Sequence, residues 1–380
     1  MTTKSIDRMS RDRMTSQRSS LAFLLAATGF AATLACGSDD KKDTATDDAT
    51  TAPAALEPAA PGGPAPNGLA LPAGVQDWGV IGAVARADDG TLRVIVGNET
   101  AVTAARSGQT NPWPEGTALS HLVWKAEKNP DDAATIGPGP FQALTLMMKD
   151  SEKYAADGGW AYGVWTGTEL TPPTDPKFDR ACVDCHTSMV KDKDFVFTDP
   201  GALPEAGTLS SAVDAPNGVA FPSKILDWRV IGVADITAAD PTMGTLRVIV
   251  GNPTAVTAAR SGNTNPWPDG SLISHFVWAA GSNPATDATL GEGKAVSPGG
   301  FGAITLMQRS SALYEADNDW AFGVWRTADL TPPAAAVPPA DPFDRACVNC
   351  HTSKVSSRDM VFSRMAEFPP SMLPSSAVGR

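Results

Sequence analysis

The segment Gly90-Thr-Leu-Arg-Val-Ile-Val-Gly-Asn98 occurs a second time, unchanged, as Gly244–Asn252. Within it, Leu92, Val94 and Val96 occupy every second position, which is the period of a β-strand with one buried face. The next nine-residue block, beginning at Thr100, also returns without a change. The chain is therefore predicted to consist of one folding unit present twice.

The duplication extends over most of the 380 residues. It predicts a first domain at 65–200, a linker at 201–214, a second domain at 215–364 and a C-terminal tail at 365–380. The second copy is longer, and its extra residues are rich in Ala, Pro or Gly, which predicts lengthened loops. These insertions lie around 238–242, 290–297 and 334–340.

Each unit carries the pattern of a strand-rich domain. Strands are predicted at Asp77–Arg86, Thr91–Val96, Thr117–Lys125, Phe141–Met148 and Gly163–Thr166, and helices at Glu99–Arg106 and from about Phe178. Asn98 and Gly108 are suited to cap the first helix. We predict the α+β class, in which each of the two tandem domains is a mainly antiparallel sheet with a few helices, the last at the C-terminus.

That last helix carries the motif that indicates a cofactor. Cys182-Val-Asp-Cys185-His186 in the first unit matches Cys347-Val-Asn-Cys350-His351 in the second. C-x-x-C-H is the attachment sequence for a c-type haem, and positions i, i+3 and i+4 lie on one side of a helix. We therefore predict two covalently bound haems c, with thioethers at the four cysteines and iron ligation by His186 and His351. A structural zinc site at the two C-x-x-C pairs is the alternative.

The N-terminal region has the composition of an export signal. Basic residues precede the apolar run Leu21–Ala35, which is short for a membrane span but suits a signal peptide at 1–35. The run ends before Cys36 in a pattern that resembles a bacterial lipoprotein signal, with Cys36 as the lipidation site; an ordinary secretory signal is the alternative. Residues 36–64 are acidic and then Ala/Pro-rich, which predicts a disordered tether. We expect a location in the periplasm or cell envelope, with a lipid anchor in a membrane.

The composition also excludes classes of partner. The formal net charge of −12 argues against nucleic acid and anionic membrane surfaces. Neither a phosphate-binding glycine loop nor a serine nucleophile elbow occurs, so nucleotide and hydrolase chemistry have no support.

Several motifs together resemble the cytochrome P-460 family, which includes the beta class of cytochromes c-prime. They are Asp-Trp before the first strand, Leu-Arg-Val-Ile-Val, Lys-Asp-Ser, Gly-Gly-Trp-Ala, and C-x-x-C-H followed by Asp-x-Val-Phe-Thr/Ser. The resemblance implies an antiparallel sheet with helices, one five-coordinate c-type haem per domain with an open distal side, and a homodimer. It also implies hydroxylamine oxidation or nitric oxide binding. The two fused domains are then expected to pack as an intramolecular pseudo-dimer.

The two histidines outside the haem motifs, His121 and His275, mark a departure from that family. Family enzymes have a lysine, crosslinked to the haem edge, in the strand after Asp-Gly-Thr. Alignment on that motif places His121 and His275 at the lysine position, which argues against the usual hydroxylamine chemistry. Three interpretations are open for this pair: buried core residues, haem-pocket groups such as proton donors, or sixth iron ligands. We predict that both line the haem pockets.

Two further matched pairs are candidates. Met147 and Met307 are sulfur ligands or core residues. Arg93 and Arg247 lie opposite the Leu/Val stripe, where they contact a haem propionate or the distal pocket, or else form surface salt bridges.

Three functional classes follow. The first binds or oxidises and reduces small nitrogen species, such as hydroxylamine and nitric oxide or another diatomic ligand, at an open iron. The second is a periplasmic electron carrier with six-coordinate haems and a soluble or membrane redox partner. The third, a dihaem peroxidase, is disfavoured because the strand-rich repeat differs from the helical domains of such enzymes. Whether the protein turns over a substrate is left open.

Overall fold

The computed structural model describes residues 62–175, 177–237, 244–334 and 344–373. The predicted signal peptide, Cys36, nearly all of the predicted tether, the insertion around 238–242, most of the insertion around 334–340 and the end of the predicted tail lie outside these ranges. All described residues belong to one compact unit, Ala54–Arg380. Within the described ranges, no helix has both the length and the apolar character needed to cross a bilayer.

The first repeat begins with two adjacent strands and ends with the motif helix. Its elements are β1 (Gly79–Arg86), β2 (Thr91–Gly97), α1 (Glu99–Ser107), β3 (Ala118–Asn129), β4 (Asp132–Lys149), β5 (Trp160–Thr166) and α2 (Lys177–Val190). The predicted strand at Phe141–Met148 is therefore too short. Pro138 and Pro140 in the sequence suggested a loop, but the register between β3 and β4 shifts in this stretch, and such irregular pairing tolerates proline.

The second repeat follows the same order and adds a helix. Its elements are β6 (Arg229–Asp235), β7 (Thr245–Gly251), α4 (Pro253–Ser261), β8 (Leu272–Gly281), α5 (Pro284–Leu290), β9 (Ala295–Arg309), β10 (Trp320–Arg326) and α6 (Arg345–Val355); α3 (Ala206–Ser211) lies between the repeats.

The predicted helix caps are present in both repeats. The side chain of Asn98 accepts a hydrogen bond from the Ala101 amide, and Gly108 ends α1 with φ 71°. Asn252 and Gly262 do the same for α4. Because a positive φ is unfavourable for residues with a Cβ, glycine ends both helices.

The two repeats share one antiparallel sheet, whereas the sequence predicted a sheet in each domain. In the described residues the order is β1-β2-β3-β4-β6-β7-β8-β9, and β9 pairs with β1, so these eight strands close on themselves. The two remaining strands pair at its side: β5 is antiparallel to β4, and β10 is antiparallel to β9. The junctions between repeats are short: Ile136 pairs with Asp235, and Ala85 and Arg86 pair with Val296 and Ala295.

Strand alternation separates a shared core from the motif sites. Leu92, Val94, Leu122 and Trp124 pack in one large core with their counterparts from the second repeat, Leu246, Val248, Phe276 and Trp278. The opposite face carries two smaller clusters, one for each repeat, which include Cys182 and Cys347. Each C-x-x-C-H helix therefore covers the sheet face that does not point into the shared core.

Segments that follow each motif contact the other repeat. The Trp124 indole donates to the Glu367 carbonyl at 2.7 Å, and the Trp278 indole donates to the Ala202 carbonyl at 2.6 Å. A third contact between the repeats comes from α1, where Arg106 donates to the Leu226 carbonyl at 3.0 Å. The predicted linker thus includes α3 and packs in the fold, as does the described part of the tail.

The insertion around 290–297 is not only a longer loop. The connection between β8 and β9 contains α5, whose first turn is capped by the Asn283 side chain, which accepts from the Thr286 amide. Pro284 at the first position suits a helix start because its missing N–H would have no partner there. The corresponding connection in the first repeat, between β3 and β4, consists of residues 130–131.

Candidate functional site

The first C-x-x-C-H motif lies on α2, and its three functional side chains border one cavity. Cys182, Cys185 and His186 line a volume of about 310 Å³ between the helix and the outer sheet face. Their spacing on the helix brings them to the same side, as the sequence predicted. Cys347, Cys350 and His351 occupy the matching positions of α6.

The motif histidines are held in one orientation by a backbone carbonyl. His186 Nδ1 lies 2.6 Å from the Phe195 carbonyl oxygen, and His351 Nδ1 lies 2.5 Å from that of Met360. A carbonyl only accepts, so Nδ1 must carry the proton, and Nε2 keeps its lone pair for a metal. Burial lowers the pKa of both imidazoles, which also favours the neutral form.

The turn that presents this carbonyl is unusual backbone. Phe195 and Met360 have φ of 63° and 68°, values that residues with a Cβ rarely adopt. In the first repeat the turn is fixed by a buried ion pair between Lys149 Nζ and Asp194 Oδ2 at 2.6 Å. In the second repeat Arg309 and Asp359 form the corresponding pair at 3.0 Å. The Asp-x-Val-Phe pattern in the sequence marks the position of this turn but does not reveal the ion pair that holds it.

Aromatic rings enclose each motif imidazole. In the first site the ring centroid of Tyr162 lies 4.7 Å from that of His186, and Phe197 packs at 5.0 Å. In the second site Phe322 takes the place of Tyr162, at 4.7 Å from His351. The Tyr162 hydroxyl is buried without a hydrogen-bond partner. Alignment of the two repeats already shows this difference, because Tyr162 corresponds to Phe322.

His121 lines the same cavity as the first motif. It lies on the outward face of β3, opposite Ile95 of β2 and Thr145 of β4. Burial, followed by the positive charge of Arg93, lowers the pKa of His121 to about 3. The described residues provide no hydrogen-bond partner for its ring, so a neutral imidazole faces the cavity.

His275 occupies the equivalent place in the second repeat. Burial, followed by the charge of Arg247, lowers its pKa to about 3. Unlike His121, it has a polar neighbour, because its Nε2 lies 3.2 Å from the Ser363 hydroxyl.

The remaining sequence candidates divide between the cavity and the core. Arg93 and Met147 border the first cavity, whereas Met307 is buried in the cluster beside the second motif. Arg93 forms an ion pair with Asp89. Burial lowers the pKa of both Arg93 and Arg247.

The other repeat completes the wall of the first cavity. Asn283, Thr286, Leu290 and Pro298, all from the second repeat, border it. Asn283 Nδ2 donates to the Phe197 carbonyl at 2.8 Å, and Asn129 Nδ2 donates in the same way to the Phe362 carbonyl. Sequence reasoning within one repeat could not find these residues, because they reach the site only when the sheet closes.

The donor set fits a covalently attached c-type haem. Cys182 and Cys185 are free thiols on one side of a helix, and burial raises the pKa of Cys182 to about 11, which keeps it protonated. His186 Nε2 is left for the iron. In the described part of the chain, no three His, Cys, Asp or Glu side chains group so that they could hold a metal ion themselves, so the two C-x-x-C pairs do not build the alternative four-thiolate site.

Comparison with known proteins agrees with this chemistry. The family model described as Cytochrome P460 matches residues 72–198 and 222–363, one match in each repeat. A comparison with individually curated proteins finds no match. The two matches together cover more than half of the chain and contain both C-x-x-C-H motifs.

Proposed function

Because this chain belongs to the cytochrome P460 family and is a c-type haem cytochrome, we propose that it carries two haems and binds, oxidises or reduces small nitrogen species at their iron. The ligands that we propose are hydroxylamine and nitric oxide, although the histidines at the lysine position argue against the family's usual hydroxylamine chemistry. The single observation that carries the proposal is the arrangement in the first cavity: two thiols, a free imidazole nitrogen and a second neutral imidazole border one volume. The equivalent residues in α6 support a second haem.

In this proposal each residue has a defined task. Cys182 and Cys185 anchor the haem, and His186 binds iron through Nε2 while the Phe195 carbonyl holds its ring orientation. The bound haem supplies a redox-active iron with a ligand position. His121, neutral at physiological pH, offers a nitrogen to whatever occupies the cavity.

A second candidate function is electron transfer. His121 has no hydrogen-bond partner among the described residues and borders the cavity that His186 also borders, so it is a candidate sixth ligand; Met147 borders the same cavity. Six-coordinate iron would make the protein an electron carrier rather than a binder of small molecules.

The spectra of the matured protein test both functions. Intact mass and a pyridine haemochrome assay give the number of haems, which we expect to be two per chain. Optical and paramagnetic-resonance spectra then give the spin state. High-spin iron that takes up nitric oxide supports the first function. Low-spin iron at both haems, with no uptake of nitric oxide, overturns it in favour of electron transfer.

We also propose export and an intramolecular pseudo-dimer. Haem attachment outside the cytoplasm and the composition of residues 1–36 support export to the periplasm or cell envelope with a lipid anchor at Cys36. The reciprocal hydrogen bonds of Trp124 and Trp278 support a pseudo-dimer. Detection of the acylated N-terminal cysteine by mass spectrometry tests the anchor, and an unmodified mature N-terminus would contradict it.

A further inference from the structure

The two sites differ in the element that the opposite repeat places against them. The first site faces α5 and the start of β9. The second faces the hairpin of β3 and β4, where Asp131 pairs with Arg358 and Glu127 accepts from Arg364 at 3.0 Å. One site therefore meets a helix, and the other meets a short charged turn.

α5 is fastened to the first site. Asn283, which is 4% exposed, donates to the Phe197 carbonyl and, at 2.7 Å, to Asp199 Oδ2. The same side chain caps α5 through the Thr286 amide at 3.0 Å. α5 also contacts α2. These contacts tie the helix to the segment directly behind His186, so its position depends on the first site and not only on its own loop.

The helix side that faces the cavity is uncharged. Thr286, Thr289 and Leu290 border the cavity, and the Thr289 hydroxyl is already committed to the Ala285 carbonyl at 2.8 Å. Arg86 and Arg93 border the cavity from β1 and β2, and each is paired with a nearby carboxylate. The wall that α5 supplies therefore acts through its bulk and its apolar atoms.

We propose that α5 is a wall supplied by the second repeat that limits ligand access to the first haem, so that the two haems of one chain differ in ligand access. This inference rests on the proposed function, because it needs haem at both motifs. Small ligands reach the first iron more slowly than the second, since the short turn of the first repeat leaves the second site without an equivalent helix.

Flash photolysis of the carbon monoxide complex of the reduced dihaem protein tests this inference. Leu290→Ala removes wall atoms, and we expect it to speed rebinding at the first haem by on the order of tenfold. Leu290→Trp should slow the same phase. Ala288→Trp is the matched control, because Ala288 lies on α5, is exposed and does not border the cavity. Single-haem forms, made with Cys347→Ala/Cys350→Ala or Cys182→Ala/Cys185→Ala, assign each kinetic phase.

A second variant removes the helix altogether. Residues 284–294 are replaced by Pro-Asp-Asp-Ala-Ala, the sequence at 130–134 of the first repeat, which should make the two rebinding phases alike. Unchanged rebinding at the first haem in this variant and in both Leu290 variants overturns the proposal, as do equal changes at both haems.

The outcomes separate this proposal from the proposed function. If neither haem binds carbon monoxide, the proposed function fails. The wall is then tested by reduction potential, because removing α5 exposes only the first haem to solvent and should shift only its potential. If removal of α5 leaves both reduction potentials unchanged, the proposal that α5 is a wall is overturned as well.

Discussion

Lys149 and Asp194 form a buried ion pair next to the carbonyl that orients His186, with 2.6 Å between Nζ and Oδ2. Asp194 Oδ2 also accepts from the Trp113 amide at 2.7 Å. One carboxylate therefore fixes the end of β4, the Trp113 loop and the turn behind the motif helix.

Loss of the Lys149 charge should destabilise the protein strongly. Lys149→Met leaves Asp194 buried without its partner, and such changes lower the free energy of unfolding by about 3–5 kcal/mol. Lys149→Arg is the matched control, because arginine occupies this position in the second repeat and pairs with Asp359. Urea denaturation measures the difference. A Lys149→Met protein as stable as the parent would show that the pair does not hold the turn.

The neutral histidines should make the protein sensitive to acid. The pKa of His121 and His275 is about 3 in the folded protein, against an ordinary value of 6.5. Between these values the unfolded chain binds more protons, so stability is complete above about pH 6.5 and falls as the pH drops toward 3. His121→Gln/His275→Gln should flatten this dependence. Parallel unfolding profiles for parent and variant would contradict the assignment.

Truncation of His121 should change the chemistry of the haem proposed at the first motif. If His121 lines the haem pocket, His121→Ala alters the haem spectrum and the nitric oxide affinity. A sixth-ligand role predicts more, namely a change from low-spin to high-spin iron. His275→Ala gives the matched result for the second haem. If the double variant has unchanged spectra and affinities, both residues are core histidines and do not line the haem pockets.

Exchange of the Tyr162 and Phe322 rings should have unequal effects. Phe322→Tyr buries a new hydroxyl at the position where the hydroxyl of Tyr162 has no partner in the first site, and an unpartnered buried hydroxyl costs about 1–3 kcal/mol. Tyr162→Phe removes a buried hydroxyl that is already unpartnered, so stability should stay the same or rise. Thermal unfolding of the two variants tests this difference. Destabilisation by Tyr162→Phe would mean that the hydroxyl gains a partner when haem is attached.

The shared core predicts that both repeats unfold together. Trp124 and Trp278 belong to one core and each donates across the repeat boundary. Trp278→Phe removes one such bond. When unfolding is followed by haem absorbance, we expect both sites to change in one transition, with its midpoint shifted relative to the parent. Two separate transitions, or two independently tumbling domains in solution scattering, would contradict a shared core.

Local chemistry was predictable from the sequence. The caps at Asn98 and Gly108 and the strand alternation of Leu92 and Val94 follow from short-range rules. The position of the motif cysteines on one helix side follows from helix geometry. These features depend on residues that are close in the chain, so one repeat is enough to predict them.

The closed sheet and the composite wall were not predictable in this way. The closing junctions comprise only the pairs at Ile136 and at Ala85 and Arg86, too few residues to leave a pattern. The role of Asn283 depends on the Phe197 carbonyl, 86 positions away, and the left-handed turn at Phe195 is held by the pairing of Asp194 with Lys149. Long-range partners of this kind are specified by the assembled fold and not by local sequence.

The junction between β9 and β1 has a consequence for how this chain can diverge after duplication. A lengthened connection in one copy comes to border the cavity of the C-x-x-C-H motif in the other copy. Mutation of the second copy can therefore retune the first site while every residue of the first copy is conserved. Sequence similarity between the two halves thus measures shared ancestry, but it is a poor guide to whether the two halves still perform the same chemistry.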